Sequence, residues 1–198
     1  MAVVNYPNIE ETKMSLYQMY PAQAVVTMEY TGRQRVTNAG GPPLWAGSIT
    51  FRGFEEDELV EIADMHAFLL GLRGGVNTFR IPVYNSGFSR RAGTLASGAL
   101  TVSTAAIAGD FVNVTVTGAT TGISKGDYVT IGDRLYLVVA SLASSIMSLT
   151  PNFAPATGAS IEYLAPTLHA RATGNLPQYV NAGNGIINPF QINFVENI

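Results

Sequence analysis

The sequence predicts a mainly β protein that contains one amphipathic α-helix. Residues 44–54 alternate between two faces, with Trp45, Gly47, Ile49 and Phe51 on one of them, which is the period of a half-buried strand. Residues 55–73 instead place apolar side chains at steps of three and four, which is the period of a helix. Short runs rich in Val, Thr and Ile follow between residues 100 and 163, separated by turn residues, and similar runs return near the C-terminus.

The composition is poor in charge. The 198 residues include 11 Lys and Arg and 14 Asp and Glu, so charged residues make up 13% of the chain, about half the usual share. Either partner subunits cover much of the surface, since interface cores are depleted in charge, or an uncharged Thr, Ser and Asn surface faces water. The net charge of −3 disfavours nucleic acid as a partner, because phosphate binding requires clustered Lys and Arg.

Cysteine and membrane signals are both missing from the sequence. The lack of cysteine excludes disulfides, thiolate catalysis and Cys-ligated zinc. No apolar run approaches the ~20 residues needed to cross a bilayer, and the N-terminus lacks the basic and apolar regions of a signal peptide. We therefore expect no membrane partner and assembly in a cytoplasm.

The first 21 residues have mixed polarity and predict an N-terminal arm. This arm carries Tyr6, Tyr17, Met19 and Tyr20, and exposed aromatic and methionine side chains favour docking on a partner. Packing of the same side chains on the chain's own domain is the alternative.

A hairpin is predicted after the arm, because residues 24–30 and 33–38 are strand-like and a Gly-containing pair separates them. Arg33 and Arg35 share one face of its second strand. We count both arginines, with the four arm residues named above, as candidate interface residues.

The helix is expected to begin within a group of acids, Glu55 to Glu58, which would meet the positive end of the helix dipole. Gly74 and Gly75 predict its left-handed end. The next strand, residues 78–84, contains Pro82. A proline restricts this run to an edge strand, or requires Pro82 to lie at the end of its strand. The expected apolar stripe consists of Leu59, Ile62, Met65, Phe68, Leu69 and Leu72.

The composition changes in residues 93–165, where charges are few and short strands recur at the spacing of a small barrel or sandwich. Residues 166–198 return to the earlier style. We therefore predict a main domain of residues 22–92 and 166–198 into which residues 93–165 are inserted. A linear chain of two domains is the alternative.

No residue pattern indicates catalysis, a metal or a cofactor. His66 and His169 lack neighbouring ligands at metal-binding spacing, and both are expected to be structural. Asp110, Asp127 and Asp133 lie in Gly-flanked turns, where Asp is favoured for local hydrogen bonds. We expect no catalytic, cofactor-binding or metal-binding residues and do not expect an enzyme.

Two segments resemble tail proteins of long-tailed bacteriophages, and the overall plan is similar to the distal tail protein family. The second segment, residues 125–138, reads K-G-D-Y-V-x-I-G-x-x-L-Y-L-V and resembles the small β-module behind the first. The first segment comprises Trp45, Gly47, Ile49, Phe51, the run Leu70-Gly71-Leu72-Arg73-Gly74-Gly75 and the run Phe79-Arg80-Ile81-Pro82-Val83.

The resemblance implies a split β-sandwich with one helix and an inserted small β-barrel, similar to an OB fold. It also implies a structural virion protein without cofactors that forms a hexameric ring between the tail tube protein and the tail hub, tip or baseplate.

The alternative is another tail-tip or baseplate protein whose β-module binds a glycan or a receptor-binding protein. Aromatic side chains available for such binding are Phe111, Tyr128, Tyr136, Phe153 and Tyr163, although core packing explains most of them equally well.

Overall fold

The structure is a computed structural model of the 198-residue chain. It describes residues 2–7, 11–19, 23–27, 34–38, 43–55, 57–83, 100–118, 123–143, 145–174 and 188–197.

These residues form a mainly β protein with one α-helix, which confirms the fold class predicted from the sequence. The first elements are β1 (Val3–Val4), β2 (Glu11–Met19), β3 (Gln23–Thr27), β4 (Gln34–Asn38), β5 (Leu44–Phe51), α1 (Leu59–Leu72) and β6 (Thr78–Pro82). They are followed by β7 (Leu100–Ala108), β8 (Phe111–Thr117), β9 (Tyr128–Ile131), β10 (Arg134–Ala143), β11 (Ile146–Thr150), β12 (Ser160–Glu162), β13 (Thr167–Thr173) and β14 (Phe190–Glu196).

Six strands form one sheet in the order β1-β6-β13-β14-β5-β2. β1 runs parallel to β6, and the other neighbouring strands are antiparallel. The last two strands of the chain therefore lie at the centre of the sheet, where they join β6 to β5. Pro82 is the last residue of β6, as its missing N–H group requires.

The N-terminal segment differs from the arm that its sequence suggested. β2 pairs with β5 from Glu11↔Phe51 to Met19↔Leu44 and is part of the six-stranded sheet. Met14 and Leu16 pack against the core of this sheet, whereas Tyr17 is exposed on the other face. The mixed polarity of the segment is thus the alternation of a strand with one covered face.

One face of the sheet carries the main core, and α1 covers it. The aromatic rings pack edge to face here: the Phe68 and Phe79 centroids are 5.4 Å apart with an interplanar angle of 82°. The buried core residues include Trp45, Ile49, Phe51, Phe54, Met65, Phe68, Leu69, Leu72, Phe79, Ile81, Leu168, Ala170, Ala172, Ile192 and Phe194.

The helix begins later than the acidic run suggested. Its first residue is Leu59, so Glu55 and Asp57 precede it, and the Glu58 carboxylate accepts hydrogen bonds from Arg52 and from the Glu55 backbone N–H. These bonds lower the pKa of Glu58. Leu59 was expected in the buried stripe, but its side chain is 69% exposed.

The C-terminal end of α1 turns left-handed one residue earlier than expected. Arg73 already has φ +46°, and Gly74 and Gly75 follow with φ +66° and +90°. At Gly75 an added Cβ would also lie 2.5 Å from the Ala172 carbonyl oxygen, so β13 passes too close for a side chain.

Six strands form a closed barrel in the order β10-β11-β8-β7-β12-β9, which confirms the expected small β-barrel. Each strand-like run predicted between residues 100 and 163 corresponds to one of these strands. Valine and isoleucine fill the interior, because alternate side chains of a barrel strand point inward. The barrel strands span residues 100–162; separate folding of residues 93–165 as an inserted domain stays a prediction.

The predicted hairpin is present as β3 and β4, which pair from Gln23↔Asn38 to Thr27↔Gln34. Its turn, predicted at Thr31 and Gly32, lies outside the described residues.

Adjacent leucines on α1 test the orientation of the helix. Leu69 is 8% exposed within the core, whereas Leu70 is 78% exposed. We expect Leu69→Ala to lower the free energy of unfolding by about 2–5 kcal/mol through the cavity it leaves. Leu70→Ala should change it by less than about 0.5 kcal/mol. Guanidinium unfolding at low protein concentration measures both, and equal losses would contradict this orientation.

Candidate interaction surfaces

A buried ion pair joins the barrel to the sheet. Arg134, at the start of β10, donates from Nε to Glu196 Oε1 at 3.2 Å, and its Nη2 donates to the Pro43 carbonyl at 3.0 Å. Both side chains are almost fully buried. The Arg134 guanidinium lies 4.5 Å from the Phe153 ring centre, and its Nη1 group has no hydrogen-bond partner among the described residues.

Three further contacts cross the same junction. The indole Nε1 of Trp45 donates to the Leu135 carbonyl at 2.8 Å. Gln18 and Thr150 exchange side-chain hydrogen bonds, and Arg80 pairs with Asp133 at 2.6 Å on the exposed rim. Tyr128 and Leu135 of the barrel belong to the main core of the sheet. The junction is therefore packed and hydrogen-bonded.

The environment of the ion pair shifts the pKa of two groups. Burial raises the pKa of Glu196, although the Arg134 charge and the Trp45 backbone N–H act in the opposite direction. Burial also raises the pKa of Tyr136 to about 12. Glu196 lies inside the junction and Tyr136 lies in the core of the barrel, so burial accounts for both shifts.

Among the candidate interface residues, Tyr6 packs within the chain. It is half-buried against the main core, with its ring centroid 5.8 Å from that of Phe68 and 6.1 Å from that of Phe51. This is the alternative that its sequence left open. Tyr6 thus anchors the segment between β1 and β2.

Tyr17 and Met19 lie at the C-terminal end of β2, and both are exposed. They line a groove of about 720 Å³ on the face of the sheet opposite α1, which we call the outer groove. The outer groove crosses four neighbouring strands and is lined by Ser15, Tyr17, Met19, Leu44, Ala46, Gly47, Ser48, Arg171, Thr173, Gln191, Asn193, Phe194 and Val195.

Gly47 allows a close approach between β2 and the Phe194 ring. A Cβ at this position would lie 1.9 Å from the Ser15 carbonyl oxygen and 2.9 Å from Cζ of Phe194. Only glycine fits between β2 and the phenyl ring. The sequence marked Gly47 through its place in the alternating strand but did not indicate this close approach.

For the other three candidate interface residues, the structure describes no side-chain position. Arg35 lies in β4, and the structure does not describe its side chain. Tyr20 and Arg33 lie outside the described residues. The basic face predicted for this hairpin therefore stays a prediction.

A second exposed surface was missed by the sequence analysis. The side of α1 that faces away from the sheet is apolar, and we call it the helix ridge: Leu59, Val60, Ala63, Ala67 and Leu70. Steps of three and four connect four of these residues, so the periodicity was present in the sequence. Because a second apolar stripe with the same period faces the sheet, the pattern alone did not show which stripe is buried.

The described residues contain no cluster of three or more His, Asp or Glu side chains that could hold a metal ion. His169 Nε2 lies 2.9 Å from Thr78 Oγ1, and Asp127 Oδ2 accepts the Ser124 N–H. The first contact joins the neighbouring strands β13 and β6, and the second lies within a local turn. In the part of the chain that the structure describes, no helix is long and apolar enough to cross a membrane.

The barrel aromatics divide into two groups. Tyr128, Tyr136 and Tyr163 are buried, as core packing requires. Phe111 and Phe153 are exposed. Only the second pair therefore offers its rings to a partner.

No protein-family model matches this sequence, and the search of curated proteins found no match.

A double-mutant cycle tests the buried ion pair. Arg134→Met should lower the free energy of unfolding by about 3–5 kcal/mol, because it leaves the Glu196 carboxylate buried without its partner. The double variant Arg134→Met/Glu196→Leu should lose much less than the sum of the single losses. Urea unfolding measures all three variants, and additive losses would contradict a coupled pair.

The raised pKa of Glu196 predicts how stability depends on pH. The Glu196 carboxyl group holds its proton more tightly in the folded protein than in the unfolded chain. Protonation of Glu196 therefore stabilises the fold fully below the ordinary pKa of 4.5, and this stabilisation is lost as pH rises through the folded-state pKa. The wild type should therefore lose stability relative to Glu196→Gln as pH rises above 4.5. The free energy of unfolding of both proteins is measured across this pH range. If the difference between them does not change with pH, or changes in the opposite direction, the pKa of Glu196 is not raised in the folded protein.

Proposed function

We propose that this protein is a structural virion protein that forms a ring at the distal end of a phage tail and joins the tail tube to the tail tip or baseplate. One observation carries the proposal: the residues of the resemblance pack together as one unit. Trp45, Ile49 and Phe51 of β5, Leu72 of α1, and Phe79 and Ile81 of β6 share one core.

The distribution of exposed side chains also supports an assembly role. Charged residues make up 13% of the chain, and the helix ridge exposes apolar side chains on an element that already covers the core. A helix that is apolar on both sides is normally buried on both sides. A protein that associates with further subunits would bury this second side.

A second candidate function is supported by the tip of the barrel. Ile107 and Phe111 are exposed on either side of the Gly109-Asp110 turn, and the Asn152 side chain donates to the Gly109 carbonyl at 3.2 Å. Exposed aromatic and aliphatic side chains at one end of a module favour binding of a protein or a glycan. On this proposal the barrel binds a receptor-binding protein or a host glycan.

The ring proposal predicts a closed assembly of six copies. Size-exclusion chromatography with light scattering should show a mass about six times that of the 21.0 kDa chain, and negative-stain images should show annular particles. The measurements are made with the protein alone and after addition of the tail tube protein. A strict monomer in both conditions would contradict the ring.

A further inference from the structure

We propose that neighbouring copies of this chain associate head to tail, with the helix ridge of one copy seated in the outer groove of the next. This inference rests on the proposed ring and adds the surfaces that would form it. The partner is a second copy of the chain.

The first argument is the position of the two surfaces in the fold. The helix ridge lies on the side of α1 that faces away from the sheet, and the outer groove lies on the opposite face of that sheet. Leu59 and Leu70 are 69% and 78% exposed, although both are large apolar side chains on an ordered helix. A contact between two different surfaces of one protein is heterologous, and repetition of it closes a ring when the rotation between copies permits.

The second argument is size. From Leu59 to Leu70 the helix ridge advances 11 residues, or roughly 16 Å at 1.5 Å per residue. The outer groove crosses β13, β14, β5 and β2, which are neighbours in the sheet. Three strand spacings amount to about 14 Å. A convex ridge of this length therefore matches the width of the concave face.

The third argument is charge. Arg171 is the one charged residue among the described residues that line the outer groove, and Lys13 is exposed on the same face. The helix carries the exposed Asp64 beside the ridge. Neither Asp64 nor Arg171 makes an ion pair within the described parts of the chain. Arg171 in the groove and Asp64 beside the ridge are complementary in charge, which favours association in one orientation.

A charge-reversal experiment tests the contact. Asp64→Arg and Arg171→Asp should each weaken assembly. The protein concentration needed for half-assembly, measured by light scattering, should rise at least tenfold. The double variant Asp64→Arg/Arg171→Asp should restore assembly, because the attraction is re-formed with the signs exchanged. Leu70→Asp should also prevent assembly, whereas the control Leu164→Asp, at an apolar site after β12 that is 60% exposed, should not.

A cysteine ladder provides a second measurement that is sensitive to weak association. The chain has no cysteine, so two introduced thiols are the only ones present. Leu70→Cys/Tyr17→Cys should give dimers, trimers and higher species on oxidation, since each copy then carries both sides of the contact. Each single variant, and Leu70→Cys/Leu164→Cys, should give at most dimers.

The outcomes separate this inference from the proposed ring. Loss of assembly in the single variants, rescue in the double variant and a ladder support the ridge-in-groove contact. Filaments with the same rescue support the contact but contradict a closed ring. Rings that persist unchanged in Leu70→Asp and Arg171→Asp overturn the contact and leave the ring intact. A monomeric wild type, together with no ladder from Leu70→Cys/Tyr17→Cys, overturns both.

Discussion

The pairing of β6 with β13 is the contact on which the rest of the structure depends. Thr167 pairs with Pro82, and the Val83 N–H donates to the Pro166 carbonyl at 2.9 Å. The chain therefore leaves the sheet and returns to it at adjacent positions, with the barrel strands between them. This return also brings β14 to the centre of the sheet, so the main core cannot close until the C-terminal strands are in place. Such pairing between distant segments makes folding slow compared with that of local structures.

The junction between barrel and sheet then places a charged pair in the interior. Burial of Arg134 and Glu196 removes both from water, which offsets much of their attraction. Trp45 makes two directional contacts across the junction. Its indole N–H donates to the Leu135 carbonyl, and its ring contacts Tyr128 edge to face with the centroids 5.7 Å apart. These contacts orient the barrel relative to the sheet. Ile107 and Phe111 are exposed on the barrel, so the same contacts also fix the position of these two side chains relative to the sheet.

Low charge and exposed apolar side chains have a common physical explanation in a protein that assembles. Surface charge makes an isolated domain soluble. In a subunit whose surface is covered by its neighbours, burying the same charges costs desolvation free energy and weakens the assembly. The helix of this protein satisfies the core with one stripe and keeps a second apolar stripe outside. Gly47 lets the Phe194 ring and β2 approach each other closely at β5. Both surfaces follow from local packing within the sheet and its helix.

The sequence by itself determined the secondary structure to a large extent, because periodicity is a local property. The alternation of β5 put Trp45, Ile49 and Phe51 on the buried face, and each strand-like run between residues 100 and 163 corresponds to a barrel strand. β2 was missed because Tyr17 and Met19 on its outer face obscured the alternation with Met14 and Leu16. Only the tertiary structure decided that Leu69 and not Leu59 is buried, since two apolar stripes had the same period. It alone brought Arg134 to Glu196 and Gly47 to Ser15, because these contacts join segments that no local pattern relates.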